Sequence, residues 1–207
     1  MKIAPLQFIT ANHPELTHSQ QAIRAYRAGC KWVQLRMKEA TEREIEQEIE
    51  KILPIAKEHN AVLLLNDNTQ LALTMKTDGV HLGKMDMPPA EARKLLGYNK
   101  IIGGTANTLD DIIHLKQQGV DYIGLGPFRF TTTKKNLSPT LGIAGYQAIF
   151  DQLKQLKINI PVVAIGGITI NDITPILDTG AFGIAMAGAI IQDNQLEVNI
   201  KSIVKKL

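Results

Sequence analysis

The chain has one cysteine, Cys30, among its 207 residues, so neither a disulfide framework nor a cysteine-based zinc site is open to it. It has no apolar run near the ~20 residues that a membrane span requires. Residues 1–10 lack the basic start and long apolar stretch of a signal peptide. Neither sign of charge dominates: 23 Lys and Arg against 20 Asp and Glu leave a net +3. So even a balance excludes a general binder of nucleic acid or of membrane surfaces, yet leaves room for a local anion pocket. No low-complexity segment or interdomain linker interrupts the chain. From these absences we expect a single soluble domain over residues 1–207, in the cytoplasm. What is present is 44% hydrophobic, which excludes disorder over most of the length and suffices for a buried core. The sequence leaves assembly into a homo-oligomer open.

Four segments share one pattern, a small hinge followed by a short apolar run: 28–35, 77–83, 119–126 and 180–187. Each follows a stretch of helical periodicity. A glycine there fits a left-handed helix cap, because the missing Cβ removes the steric penalty. The runs are too short for helices but suit strands buried on both faces. Similar runs at 6–10, 62–66, 101–104 and 162–166 bring the strands to eight, alternating with about eight helices. That is the arithmetic of a single (β/α)8 TIM barrel; an open, doubly wound sheet is the alternative. Thr41…Glu44 and Thr108…Asp111 read as capping boxes, and Pro88-Pro89 as the first turn of a helix. The polar, unpatterned stretch 128–142 is a candidate lid.

In such a barrel the site is built from the loops after the strands. Gln34, Arg36 and Lys38 alternate with Leu35 and Met37 at the end of the second strand, so the three polar groups should point one way. Asn66 and Asp67 end the third strand. Asp86 follows the fourth, Thr105 ends the fifth, and Thr131, Thr133 and Lys134 follow the sixth. Gly166-Gly167 and Ala187-Gly188 follow the seventh and eighth, where barrels commonly bind phosphate on backbone N–H groups. Asp67 and Asp86 taken singly read as helix caps. Together they suit Mg²⁺, which takes one or two carboxylates plus phosphate oxygens. His81, inside an apolar run, reads as a packed strand residue. The rim carries no Cys–His or Ser–His nucleophile. Two phosphorylated small molecules joined without a covalent enzyme intermediate is the simplest chemistry these residues support.

The motifs Gln34-Leu35-Arg36-Met37-Lys38, Leu65-Asn66-Asp67, Gly79-Val80-His81-Leu82-Gly83…Asp86, Tyr122-Ile123-Gly124-Leu125-Gly126-Pro127, Thr131-Thr132-Thr133-Lys134 and Val163-Ala164-Ile165-Gly166-Gly167-Ile168 resemble those of the thiamine phosphate synthases in order and spacing. The resemblance covers essentially the whole chain. It implies coupling of 4-amino-2-methyl-5-(diphosphooxymethyl)pyrimidine with a thiazole phosphate, carboxylated or not, to give thiamine phosphate and diphosphate. Carried over by residue, Asp67 and Asp86 would hold Mg²⁺, and Arg36, Lys38 and Lys134 would be catalytic, neutralising the leaving diphosphate. Gln34, Asn66 and Thr105 would position the pyrimidine, with Leu35, Met37 and Thr132 among the residues lining the substrates. Thr131, Thr133, Gly167, Ala187 and Gly188 would hold the thiazole phosphate. This chain departs from the family pattern with Lys84 for Gln and Thr105 for Ser. Phe128-Arg129-Phe130 stands for Val-Phe-Pro, and Ala187-Gly188 for an Ile-Ser or Val-Ser pair. The last removes a hydroxyl that Arg129 is the candidate to replace. A thiazole tautomerase of the same superfamily, and a non-catalytic barrel sensing thiamine or thiazole phosphate, are the competing readings. The complete carboxylate and cation sets favour the synthase.

Overall fold

The computed structural model of the protein describes residues 3–130, 139–192 and 195–207. Eight short strands alternate with helices: β1 (Leu6–Ile9), α1 (His18–Arg27), β2 (Trp32–Leu35), α2 (Glu42–Glu58), β3 (Val62–Asn66), α3 (Thr69–Thr74), β4 (Gly79–Leu82) and α4 (Pro89–Leu96) form the first half. The second half is β5 (Ile101–Ala106), α5 (Leu109–Gln117), β6 (Tyr122–Leu125), α6 (Gly142–Gln155), β7 (Val162–Ile165), α7 (Ile173–Asp178), β8 (Gly183–Met186), α8 (Gly188–Ile191) and α9 (Leu196–Val204). Every strand pairs in parallel with the next, and β8 pairs with β1, so the sheet closes into a TIM barrel. Closure excludes the open sheet. β5 runs two residues beyond the apolar run at 101–104, because Thr105 and Ala106 continue the ladder against Gly124 and Leu125. No helix among the described residues is long and apolar enough to cross a membrane.

The helix starts follow local chemistry. Thr41 Oγ1 accepts from the Glu44 N–H while Glu44 Oε2 accepts from the Thr41 N–H at 2.7 Å, a reciprocal box that satisfies two end donors of α2. Thr108 and Asp111 do the same for α5. Pro89 opens α4, where its missing N–H is no loss.

Strand alternation divides the apolar side chains between two cores. Val33, Leu35, Leu63 and Leu65 face the helices. Ile9, Trp32, Val62, Leu64, Ile101, Tyr122, Val163 and Ala185 fill the barrel itself. Trp32 and Tyr122 pack edge to face, with centroids 4.6 Å apart. Gly103 makes room for that ring: a Cβ there would lie 2.2 Å from Tyr122. The strand directions place every strand's C-terminal end, and the loop after it, at one mouth.

Candidate active site

Beyond β2 the alternation carries a polar row up to the mouth. Gln34 is buried, Arg36 half-buried and Lys38 exposed. Leu35 is buried, and Met37 packs, against the helix-facing core, which leaves their backbone rather than their side chains at the mouth. The Arg36 N–H donates to Thr10 Oγ1 at 3.1 Å, fastening the end of β2 to that of β1. Asp67 follows β3 in a left-handed backbone conformation (φ 65°), and Lys38 Nζ stands 3.8 Å from its Oδ2.

Neither acid caps a helix, contrary to the single-residue reading. Asn68 caps α3, accepting from the Leu71 N–H at 2.9 Å, and α4 has no side-chain cap. Asp86 instead accepts from the Gly83 N–H at 2.6 Å, a bond that turns the loop back on itself and holds the carboxylate at the mouth. Asp86 acts on the Asp67 carboxyl as a neighbouring acid. Burial first, and then Asp86, push Asp67 up to about 6, while Lys38 and Arg36 pull it down. Two neighbouring oxygen-donor groups, one of them biased to keep a proton, suit a hard divalent cation that would replace that proton. The described residues hold no group of three or more His, Cys, Asp or Glu, so substrate or water oxygens would complete such a shell.

Below the mouth a chain of five polar side chains crosses the barrel. Gln34 Nε2 donates to Gln7 Oε1 (3.3 Å), and Gln7 Nε2 donates to the Tyr122 hydroxyl (2.9 Å). Tyr122 lies 2.8 Å from His81 Nδ1, and His81 Nε2 lies 2.9 Å from Thr105 Oγ1. His81 is packed, as its apolar surroundings suggest, and is also bonded at both ring nitrogens. Sequence reasoning passed over Gln7 and Tyr122. The available signal was Gln7 interrupting an apolar run; that Gly103 faces the tyrosine follows only from the strand register.

After β7, Gly166 and Gly167 both have positive φ (97° and 68°), and a Cβ on Gly167 would lie 2.9 Å from the Arg129 carbonyl oxygen. Arg129 does not reach out to replace the hydroxyl missing at Gly188. Its guanidinium binds both Asp172 oxygens (2.8 and 2.9 Å) and the Gly167 carbonyl (2.8 Å), so it braces the glycine turn. That pairing holds the Asp172 carboxyl far below the usual carboxylate range. Lys84, similarly, is committed to Asp111 at 2.7 Å. Gly188 opens α8 directly after β8. Thr131, Thr132, Thr133 and Lys134, with most of the stretch read as a lid, lie outside the described residues.

The profile of the thiamine monophosphate synthases matches residues 6–190. The chain belongs to this family. A thiamine-phosphate synthase of Bacteroides thetaiotaomicron is 52% identical over 206 residues, covering 97% of this chain and 99% of that protein. One from Flavobacterium johnsoniae is 44% identical over 202 residues, 98% of this chain and 95% of the relative. Among solved structures, the thiamine phosphate pyrophosphorylase of Pyrococcus furiosus superposes with a TM-score of 0.85 at 28% identity, covering 97% of this chain and 93% of that one. The shared name is that of a transferase acting in thiamine biosynthesis. In this member of the thiamine monophosphate synthase family, Gln34, Arg36, Lys38, Asn66, Asp67, Asp86, Thr105, Gly167, Ala187 and Gly188 all stand at or just below one barrel mouth.

Proposed function

We propose that this chain couples 4-amino-2-methyl-5-(diphosphooxymethyl)pyrimidine with a thiazole phosphate, releasing thiamine phosphate and diphosphate. The observation that carries the reading is the Asp67–Asp86 carboxylate pair, with Lys38 and Arg36 beside it at the barrel mouth. The C–O bond to the diphosphate breaks first and its electron pair leaves with the diphosphate. The ring amino group delocalises the resulting pyrimidinylmethyl cation, and the lone pair of the thiazole nitrogen closes the new N–C bond. No proton needs to be removed, in keeping with a rim without a His- or Cys-based nucleophile.

Asp67 and Asp86 would hold Mg²⁺, which supplies positive charge to the diphosphate when bound. Arg36, Lys38 and Lys134 neutralise the remaining charge as it develops on the leaving oxygen. Gln34, Asn66 and Thr105 orient the pyrimidine. Thr131, Thr133, Gly167, Ala187 and Gly188 receive the thiazole phosphate. Water has to be kept from the cation, which would otherwise give the alcohol. Purified protein given both substrates and Mg²⁺ should form thiamine phosphate and diphosphate in equal amounts and stop on addition of excess chelator. Undiminished turnover in chelator would exclude the metal role. Rearrangement of the thiazole phosphate alone, with no coupling, would favour the tautomerase reading.

A further inference from the structure

The five-residue chain across the barrel has a direction, because each member can donate or accept only in certain places. Gln7 donates from Nε2 to the Tyr122 oxygen, and Gln34 donates from Nε2 to Gln7 Oε1. The tyrosine has one proton, and burial keeps it there by pushing the phenol well above its ordinary range. Its second neighbour is His81 Nδ1, so that nitrogen accepts. A neutral imidazole then carries its proton on Nε2 and donates to Thr105 Oγ1. With Gln7 donating to the phenol oxygen, an imidazolium would donate from both nitrogens and leave the buried tyrosine proton with no acceptor among the described residues. Thr105 Oγ1, already accepting, has its own proton to give. At the opposite end Gln34, having spent an N–H on Gln7, has its carbonyl oxygen to accept with. Reversing both amides would reverse every bond in the series, so the five groups share two states, and the structure shows one of them.

We propose that Tyr122 is a positioning residue for the pyrimidine substrate: through Gln7 on one side and His81 on the other, it sets Gln34 as an acceptor and the Thr105 hydroxyl as a donor. A 4-aminopyrimidine presents the complementary pair, an amino group that donates and ring nitrogens that accept. The inference rests on the proposed substrate for its ligand, and its hydrogen-bond direction rests on the orientation of the Gln7 and Gln34 amides. Gln7 and Tyr122 are 1% and 0% exposed and sit behind Gln34 and Thr105, so they act through those residues and touch no substrate.

Two measurements test it. Long-range ¹H–¹⁵N spectra of the wild-type protein at neutral pH should show His81 neutral with its proton on Nε2. A proton on Nδ1, or on both nitrogens, would overturn the proposal. Tyr122→Phe keeps the ring and its contact with Trp32 but removes the proton. It should raise KM for the pyrimidine diphosphate about five- to tenfold, leave KM for the thiazole phosphate within about twofold, and change kcat less than KM. Equal shifts for both substrates, or none, would reduce Tyr122 to a packing residue. The spectrum needs no turnover, so absence of the coupling reaction and failure of this inference are separate outcomes.

Discussion

In its proposed metal-binding role Asp67 carries a cost to the fold. Its carboxyl ionises near 6 in the folded chain against an ordinary value of 3.8. Between those values the folded state holds the extra proton, so stability is fullest at low pH and is lost as pH rises through about 6. With the side chain 34% exposed, screening leaves roughly 1 kcal/mol of this penalty. Asn tolerates the left-handed backbone at this position. Asp67→Asn should therefore raise the melting temperature of metal-free protein by about 2–4 °C at pH 8, and not at pH 4, while cutting turnover by about a hundredfold or more. Thermal scans at the two pH values read the first effect, and a gain that persists at pH 4 would refute this electrostatic origin. Lys134 is assigned to the leaving group, where charge grows only as the C–O bond lengthens. An interaction made chiefly in the transition state lowers the barrier more than it tightens binding. Lys134→Ala should lower kcat about thirty- to a thousandfold with a modest change in KM, and Lys135→Ala serves as the near-silent control. Steady-state kinetics with loss confined to KM would reassign that cation.

The last helix shows which interactions hold an element in place. α9 packs on α1 and α8 with Leu196, Ile200 and Ile203 buried, and an Arg24–Glu197 ion pair joins it to α1. Both charged side chains are about one-third exposed, so water and salt screen the pair. Ile200 is fully buried, and truncating it leaves a cavity. Ile200→Ala should cost about 2–5 kcal/mol in denaturant unfolding, and Arg24→Ala about 1 kcal/mol or less. The opposite ranking would make the ion pair the main fastening. The capping boxes of α2 and α5 were legible because each joins residues three apart. α9 was not singled out, since its role depends on meeting α1, far away in sequence.

On the proposed function, ligand binding links the charged mouth to the stability of the whole barrel. Mg²⁺ and diphosphate together should neutralise both the carboxylate pair and the cations facing it. At about a hundred times the dissociation constant, binding adds about 2.7 kcal/mol, or roughly 5–10 °C in melting temperature. Mg²⁺ alone or diphosphate alone should give clearly less, and equal shifts from the separate components would deny a shared site. The sequence by itself determined the alternation of strands and helices and the rim positions of Arg36, Lys38, Asp67 and Asp86, and it favoured the closed barrel over the open sheet that the β8–β1 pairing excludes. Those features follow from periodicity, caps and strand ends, which act over a few residues. Only the tertiary structure decided that Asp67 and Asp86 act on each other rather than cap helices, and that Arg129 is spent on Asp172 and Gly167. It alone also ran the polar chain through Gln7 and Tyr122, 115 residues apart. Hydrogen-bond partners of that kind are chosen by barrel closure, which brings together inward-facing groups from strands that share no local pattern.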